Sequence, residues 1–285
     1  MCCDGRVPHN DSDPVLIRSV AEQLATEAAD FVRRRRAEVF GGEGRGAEGA
    51  VKAKSTPTDP VTVVDTETER LLRDRLAELR PGDPIVGEEE GGTAGTEPGR
   101  PTWVLDPIDG TVNFVYGIEA YAVSVGVQID GVSVAGAVAN VATGEVFSAA
   151  AGHGAHVRRG DADPVPLRCN ALDDVAMALV GTGFAYAPEK RRGQAEVLAR
   201  LLADVRDVRR IGSCALDLCM VAAGRLDAYY EDGVNVWDWS AGAIVAAEAG
   251  AWLQLPAVDG PGFIAAAAPG IAEQFQDALQ RVGAR

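Results

Sequence analysis

Residues 103–114 read WVLDPIDGTVNF, an apolar segment that runs into two aspartates and then a Gly-Thr pair. The segment 102–105 predicts a short buried strand that delivers Asp106. Because Pro107 fixes a bend, Asp106 and Asp109 need not point to opposite faces, as neighbouring residues of a regular strand do. Two carboxylates this close repel each other unless cations lie between them, and hard oxygen ligands suit Mg²⁺ or Mn²⁺. The stretch therefore predicts a divalent-cation site at the end of a strand, with a turn of solvated acids as the alternative.

The residues that follow the two aspartates have the properties of an anion-binding turn. Gly110 lets the backbone approach an anion closely, and Thr111 adds a hydroxyl beside its own N–H. If Asn113 and Phe114 begin a helical turn, the N–H groups there favour phosphate. The aspartyl-phosphate hydrolases carry Asp-x-Asp-Gly-Thr with a nucleophilic first aspartate. Here two residues separate the acids, which indicates metal ligands rather than a nucleophile.

Further acidic residues stand beside predicted elements elsewhere in the chain. Residues 87–90, GEEE, follow a predicted strand, and Asp65 stands at the mouth of a helix predicted over 66–79. Glu231 and Asp238 lie near the C-terminus, the second at the start of a predicted helix. If these carboxylates converge with the aspartate pair, they form one cation site. The alternative to a shared cation site is an ordinary structural role for each acid. Asp65 and Asp238 would then be helix N-caps, and the glutamates would lie in a solvated loop.

Composition and charge limit the classes of protein to which the chain can belong. The 285 residues are 47% hydrophobic and 24% charged, an ordinary globular mixture. A net charge of -15, from 27 basic against 42 acidic residues, argues against direct binding to nucleic acid or an anionic membrane. The five cysteines match no zinc spacing, and the chain has neither a secretory signal nor a run of about 18 apolar residues. We therefore expect a reduced, cytoplasmic protein without a membrane segment.

The remaining pattern predicts helices and strands in both halves of the chain. Apolar residues at helical spacing predict a long helix from Pro14 to about Val39. Three β-rich runs separated by Asp-Gly and Thr-Gly predict an antiparallel meander over 121–130, 132–140 and 145–150. Beyond residue 166 strands and helices alternate, with strands predicted over 177–181, 226–230 and 263–267 and helices over 188–202, 213–223, 237–249 and 271–282.

Because both halves supply sheets and helices, we expect the α/β or α+β class with layered sheets. No internal repeat and no long linker separates independent domains. We predict a single domain over residues 1–285, with an N-terminal α+β half at about 13–165 and a C-terminal α/β half at about 166–285.

Taken together, these runs resemble the inositol monophosphatase family of metal-dependent, lithium-sensitive phosphomonoesterases. The resemblance covers about residues 13–283, and it is carried by DPIDGTVNF at 106–114, WDWSAG at 237–242 with EAG at 248–250, RIGSCAL at 210–216 and AYYE at 228–231. The last two runs are similar to the inositol-preferring branch of the family. The resemblance implies a layered αβαβα sandwich of the inositol monophosphatase and fructose-1,6-bisphosphatase type.

The resemblance also implies roles for individual residues in the chemistry. Thr111, together with Glu88 or Asp65, would orient the attacking water, and Asp65 would bind or order water near the metals. The ligands of the metal ions would be Glu88, Asp106, the Ile108 carbonyl, Asp109 and Asp238.

On the substrate side, the resemblance implies that the N–H groups of Gly110 and Thr111 hold the phosphate. Lys54 and Asp59 lie on the loop that closes over the site in this family. Asn235 and Cys214 depart from the family pattern, in which histidine and alanine are common, and they bear on substrate preference more than on chemistry. The alcohol part of the substrate would contact Gly212, Ser213, Cys214 and Glu231, with Asp238 also on the substrate side.

The activity that the resemblance implies is Mg²⁺-dependent hydrolysis of inositol 1-phosphate by direct attack of a metal-activated water. Mn²⁺ would be the substitute ion, and a homodimer the assembly. Fructose bisphosphate, histidinol phosphate, NADP and a 3′-phosphoadenylate are alternative substrates for the same metal core. A regulatory role through a protein partner is the alternative from another functional class, although a complete set of metal carboxylates favours retained catalysis.

Overall fold

The computed structural model describes residues 12–41, 49–54, 56–256 and 260–284. Cys2 and Cys3 lie outside these ranges, whereas Cys169, Cys214 and Cys219 are free thiols. None of the helices within the ranges combines the length and the hydrophobicity that a membrane span requires.

The described residues form seven α-helices and fourteen strands. The helices are α1 (Pro14–Phe40), α2 (Val63–Leu79), α3 (Thr111–Tyr116), α4 (Pro188–Leu201), α5 (Cys214–Ala222), α6 (Val236–Glu248) and α7 (Ala272–Val282). The strands are β1 (Val51–Ala53), β2 (Pro60–Thr62), β3 (Ile85–Gly87), β4 (Pro101–Asp109), β5 (Ala122–Ile129), β6 (Val132–Asn140), β7 (Glu145–Ala150), β8 (Ala155–Arg159), β9 (Val165–Pro166), β10 (Leu179–Thr182), β11 (Asp207–Arg209), β12 (Ala228–Val234), β13 (Trp252–Gln254) and β14 (Gly262–Ala267).

Most of these strands belong to two large sheets. One sheet has the order β3-β4-β5-β6-β7-β8-β9, and it is antiparallel except for the pair β3–β4. The other has the order β11-β10-β12-β14-β13, with parallel pairing on one side of β12 and antiparallel pairing on the other. The predicted meander is confirmed as β5, β6 and β7.

The helices form three layers around the two sheets. Helices α1 and α2 pack on the outer face of the first sheet, whereas α5 and α6 lie between the sheets and contact both. Helices α4 and α7 pack together, and α7 covers the outer face of the second sheet. The predicted αβαβα sandwich is therefore confirmed. Because α5 and α6 meet a sheet on each side, their sequences are apolar around most of their circumference.

Several predicted boundaries near the acidic residues differ from the structure. Strand β12, predicted over 226–230, runs over Ala228–Val234 and therefore includes Glu231. Strand β4 does not stop before Asp106 but continues to Asp109 through an irregularity in its pairing with β5. Helix α2 begins at Val63, three residues earlier than predicted, because the Thr62 side chain accepts hydrogen bonds from the N–H groups of its first turn.

The contact between α6 and the first sheet depends on small residues. A Cβ atom at Gly136 of β6 would lie 2.9 Å from the Cα of Ala241, and one at Gly126 of β5 would lie 2.9 Å from the Ala241 nitrogen. Since neither strand leaves room for a side chain there, the helix approaches the sheet at backbone distance.

We expect Gly136→Ala to lower the free energy of unfolding by about 1–3 kcal/mol, because the added methyl group overpacks this contact. Gly193→Ala is the matched control, since a Cβ there meets no atom within 4 Å and the residue lies within α4. Alanine should raise stability at that position by about 0.5–1 kcal/mol. Denaturant unfolding of both variants measures the difference, and equal stabilities would contradict the packing described here.

Candidate active site

A pocket of about 610 Å³ opens where the ends of β3, β4 and β12 meet the first turns of α3 and α6. Its wall includes backbone from the segment that follows Asp109 and acidic side chains from distant parts of the chain. The predicted acidic residues on this wall are Asp59, Glu88, Asp106, Asp109, Glu231 and Asp238, and the predicted Lys54 lines it as well. Acidic clusters that are separate in the sequence therefore share one pocket.

Asp106 and Asp109 lie at the irregular end of β4, and both are buried. The register of β4 against β5 shifts between them, so they are not presented as regular strand residues. The N–H of Ile108 donates to Asp106 Oδ1 at 3.0 Å, and the Thr111 hydroxyl donates to the Ile108 carbonyl at 3.0 Å. Burial, and then the charge of Glu88, raises the pKa of Asp106 well above its ordinary value.

Gly110 joins β4 to α3 in a left-handed conformation, with a φ of 95°. A Cβ atom there would lie 2.9 Å from the Ala120 carbonyl oxygen and 3.1 Å from that of Gly212. Both the backbone angle and the close approach therefore require glycine. Helix α3 begins directly afterwards at Thr111, so the N–H groups of its first turn lie next to the aspartate pair.

The Asp109 carboxylate is held by the start of α5. Its Oδ2 accepts hydrogen bonds from the Ser213 hydroxyl and the Ala215 N–H, both at 2.7 Å. Burial outweighs these bonds and raises the pKa of Asp109 to about 7. Ser213 caps α5 and is buried behind the wall that Gly212 and Cys214 line. The structure thus places Ser213 against a predicted metal ligand, where the resemblance implied a substrate contact.

Asp65 is fully buried in the first turn of α2, and Thr111 connects it to the pocket. The interpretation of Asp65 as an N-cap is wrong, because Thr62 caps the helix and Asp65 is the third helical residue of a capping box. Its Oδ2 accepts from the Thr62 N–H at 2.9 Å, and its Oδ1 accepts from the Thr111 hydroxyl at 3.2 Å. Burial raises the pKa of Asp65 to about 7.

Asp238 is the third helical residue of a capping box in α6, as Asp65 is in α2. Asn235 is the N-cap, and its N–H donates to Asp238 Oδ2 at 2.6 Å, so the N-cap interpretation of Asp238 is also wrong. Burial, and then the charge of Asp109, raises the pKa of Asp238 well above its ordinary value. Asn235 itself lines the pocket, so this departure from the family pattern lies directly at the site.

Glu88 lies in the turn after β3, where its N–H donates to the Leu105 carbonyl at 3.1 Å. The Lys54 ammonium group lies 2.8 Å from Glu88 Oε1 and 2.5 Å from Glu89 Oε1. Burial opposes the charge of Lys54, but the two glutamates outweigh it and raise the pKa of the ammonium group. Because the Glu88 and Glu89 side chains are only 22% and 7% exposed, the interpretation of these two as solvated loop residues is wrong.

The donor atoms of the pocket suit a hard divalent cation. Carboxylate and carbonyl oxygens are the ligands that Mg²⁺ takes. Asp106 is buried and Asp238 partly buried, both have a raised pKa, and an adjacent cation would stabilise their charges. Within the described part of the chain, no three or more His, Cys, Asp or Glu side chains already enclose a point where an ion would bind. The pocket therefore presents fitting donors rather than a preformed coordination shell.

Glu231 forms the wall that β12 contributes. The Tyr229 hydroxyl donates to its Oε2 at 2.7 Å, and a Cβ at Gly183 would overlap its carboxylate. Burial raises the pKa of Glu231 above its ordinary value. Lys190 and Arg210 line the same pocket. Sequence reasoning missed Lys190, Arg210, Tyr229 and Asp232. Arg210 and Tyr229 stood in runs already singled out, RIGSCAL at 210–216 and AYYE at 228–231, but no role was assigned to either.

Known proteins of one family resemble this chain over nearly its whole length. The model of the inositol monophosphatase family matches residues 13–282. An inositol-1-monophosphatase of Mycobacterium leprae is 67% identical over 279 residues, which cover 95% of this chain and 96% of that protein.

Solved structures have the same fold. The structure of Mycobacterium tuberculosis SuhB is 59% identical with a TM-score of 0.82, and the match covers 96% of this chain and all of that one. An inositol monophosphatase structure from Anabaena is 27% identical with a TM-score of 0.77, covering 94% of this chain and 96% of that one. The matched region contains every element that builds the pocket, and the chain belongs to the inositol monophosphatase family.

Proposed function

We propose that the protein hydrolyses inositol 1-phosphate to inositol and inorganic phosphate, with Mg²⁺ as the cofactor and Mn²⁺ as a substitute. The observation that carries this proposal is the gathering of Glu88, Asp106, Asp109 and Asp238 around one pocket beside the first turn of α3. The names of close relatives, inositol-1-monophosphatases of mycobacteria, support the choice of substrate.

The metal would be held by oxygen atoms of the chain. When bound, it would neutralise the phosphate and lower the pKa of water in the pocket. The proposed ligands are Glu88, Asp106, the Ile108 carbonyl, Asp109 and Asp238. The hydrogen bonds from Ser213 and Ala215 occupy Oδ2 of Asp109, so its other oxygen is the one that we assign to the metal.

Thr111 and Asp65 would handle the proton of the attacking water. The Thr111 hydroxyl has a single hydrogen, and Asp65 Oδ1 and the Ile108 carbonyl are its acceptors within the fold. Its lone pairs are then available to accept a hydrogen bond from water. Because Asp65 Oδ1 accepts from the Thr111 hydroxyl, Asp65 is placed to take a proton passed through Thr111.

The phosphate and the alcohol would occupy different walls of the pocket. The N–H groups of Gly110 and Thr111 stand at the start of α3, where helix N–H groups have no acceptor within the helix and favour an anion. Glu231 would accept hydrogen bonds from ring hydroxyls, next to Gly212 and Cys214. A polyol fits these acceptors better than an apolar alcohol does.

The single-domain organisation is also part of this proposal, because α5 and α6 of the C-terminal half pack on the sheet of the N-terminal half. The homodimer, lithium sensitivity and cytoplasmic location stay predictions. The alternative substrates and the regulatory role also stay open, and a phosphate-release assay over a panel of esters separates the substrates.

Asp109→Asn should lower kcat about 100-fold or more, the scale on which loss of one electrostatic contact slows catalysis. The fold should survive, because an asparagine oxygen can still accept from Ser213 and Ala215. Steady-state phosphate release and circular dichroism measure the two effects. Asp161→Asn, the same change at an exposed position, is the control. A folded Asp109→Asn variant with wild-type kcat would refute the assignment.

Glu231→Gln should weaken hydrolysis of inositol 1-phosphate about 5- to 150-fold, since an unpaired buried polar group costs about 1–3 kcal/mol and about 1.4 kcal/mol corresponds to tenfold. Glycerol 2-phosphate should be affected much less, because Glu231 is not among the proposed metal ligands. The comparison requires kcat/KM for both esters in the wild type and the variant. An equal fall for both would mean that Glu231 acts through the metals or the fold.

A further inference from the structure

The turn that presents Glu88 is short and tightly closed. It begins at Gly87, whose N–H donates to the Gly91 carbonyl at 3.0 Å, while the Glu88 N–H donates to Leu105 of the neighbouring strand at 3.1 Å. The side chain of Glu88 extends from this turn into the pocket. The position of the turn therefore determines where the Glu88 carboxylate lies.

Glu69 of α2 holds the inner side of this turn. It is completely buried, and its carboxylate accepts one backbone hydrogen bond on each oxygen, from Glu89 N–H at 2.7 Å and from Glu90 N–H at 3.0 Å. A buried carboxylate is costly unless it is paired and hydrogen-bonded. Glu69 meets that condition through the two residues that directly follow Glu88.

Arg73, one helical turn further along α2, completes the arrangement. Its Nε donates to Glu69 Oε1 at 2.9 Å, and its Nη2 donates to the Gly91 carbonyl at 2.6 Å. Glu69 therefore binds the N–H groups in the middle of the turn, and Arg73 binds the carbonyl at its end. We call this pair the Glu69–Arg73 clamp.

Gly87 shows how closely the clamp approaches the backbone. A Cβ atom at Gly87 would lie 2.2 Å from Glu69 Oε1 and 2.5 Å from Glu69 Cδ. The carboxylate of Glu69 thus occupies the space that any side chain at the end of β3 would need. This contact explains why the residue before Glu88 is glycine, which the sequence alone does not reveal.

We propose that Glu69 and Arg73 are positioning residues for metal binding, which fix the turn so that Glu88 is oriented towards the metal ligands. The inference rests on the proposed function, in which Glu88 is a ligand. Residues that orient metal ligands through hydrogen bonds typically change metal affinity or activity 10- to 100-fold when they are replaced. Such residues usually contact the ligating side chain itself. The Glu69–Arg73 clamp instead binds the backbone of the residues that follow Glu88.

The test is a titration of the full chain with Mn²⁺. Electron paramagnetic resonance measures the concentration of free Mn²⁺, from which the bound fraction and the dissociation constant follow. Glu69→Gln keeps the size of the side chain but leaves one oxygen for two N–H donors. We expect its dissociation constant for Mn²⁺ to rise about 10-fold or more. Higher Mg²⁺ should restore most of the phosphatase activity, whereas a variant that is merely unstable would not be rescued in this way.

Glu67→Gln is the matched control, because Glu67 lies on the same helix and pairs with Arg35 at the surface at 2.8 Å, away from the turn. It should bind Mn²⁺ as the wild type does. A folded Glu69→Gln variant with wild-type Mn²⁺ affinity would overturn the clamp. If Glu69→Gln does not fold, Arg73→Met decides, since methionine keeps an unbranched side chain but can donate to neither Glu69 nor Gly91. Weakened Mn²⁺ binding supports the clamp, and unchanged binding overturns it.

The experiment also separates this inference from the proposed function. A wild-type protein that binds no Mn²⁺ would overturn the proposed metal site, and the clamp with it. A wild-type protein that binds Mn²⁺, together with folded variants that bind it equally well, would overturn the clamp alone.

Discussion

Carboxylate groups that share a buried pocket repel one another, and the elements around this pocket are arranged to hold them there. Burial raises the pKa of Asp106, Asp109 and Asp238, with neighbouring carboxylates as a further cause. Each charge loses hydration when it is buried, so such a group requires hydrogen bonds or cations close by. The same repulsion makes the pocket favourable for a divalent ion, whose charge the carboxylates would share.

The first turns of several helices supply part of the required stabilisation. Asp65 in α2 and Asp238 in α6 are the third residues of capping boxes, and Asp109 accepts the N–H of Ala215 in the first turn of α5. N–H groups at these positions have no partner within their own helix and carry partial positive charge. Since α5 and α6 also pack between the two sheets, the layered fold itself fixes where these carboxylates lie.

The sequence predicted most acids of the pocket, although not Asp232, and the signal for the aspartate pair is local. The run from Asp106 to Thr111 combines carboxylates, a bend and a glycine within six residues, and the resemblance to the family extended the assignment to distant positions. The extent of β4 could not be predicted, because Pro107 suggested an end to the strand while pairing with β5 continues beyond it. Strands β9, β11 and β13 have only two or three residues, too few for an alternating pattern.

Positioning residues were the least predictable part of the site. Glu69 and Arg73 are four residues apart on an amphipathic helix, where such a pair normally indicates a solvated face. Ser213 has the local pattern of an N-cap, and its contact with Asp109 joins segments 104 residues apart. These roles depend on which segments the fold brings together, and that information is absent from local spacing.

In the proposed mechanism the carboxylate pocket acts through a bound divalent cation. The most direct measurement is the rate of phosphate release from inositol 1-phosphate by protein stripped with EDTA, before and after Mg²⁺ is restored. We expect negligible release from the stripped protein and recovery of the original rate with Mg²⁺. Release at the full rate from stripped, metal-free protein would contradict this mechanism.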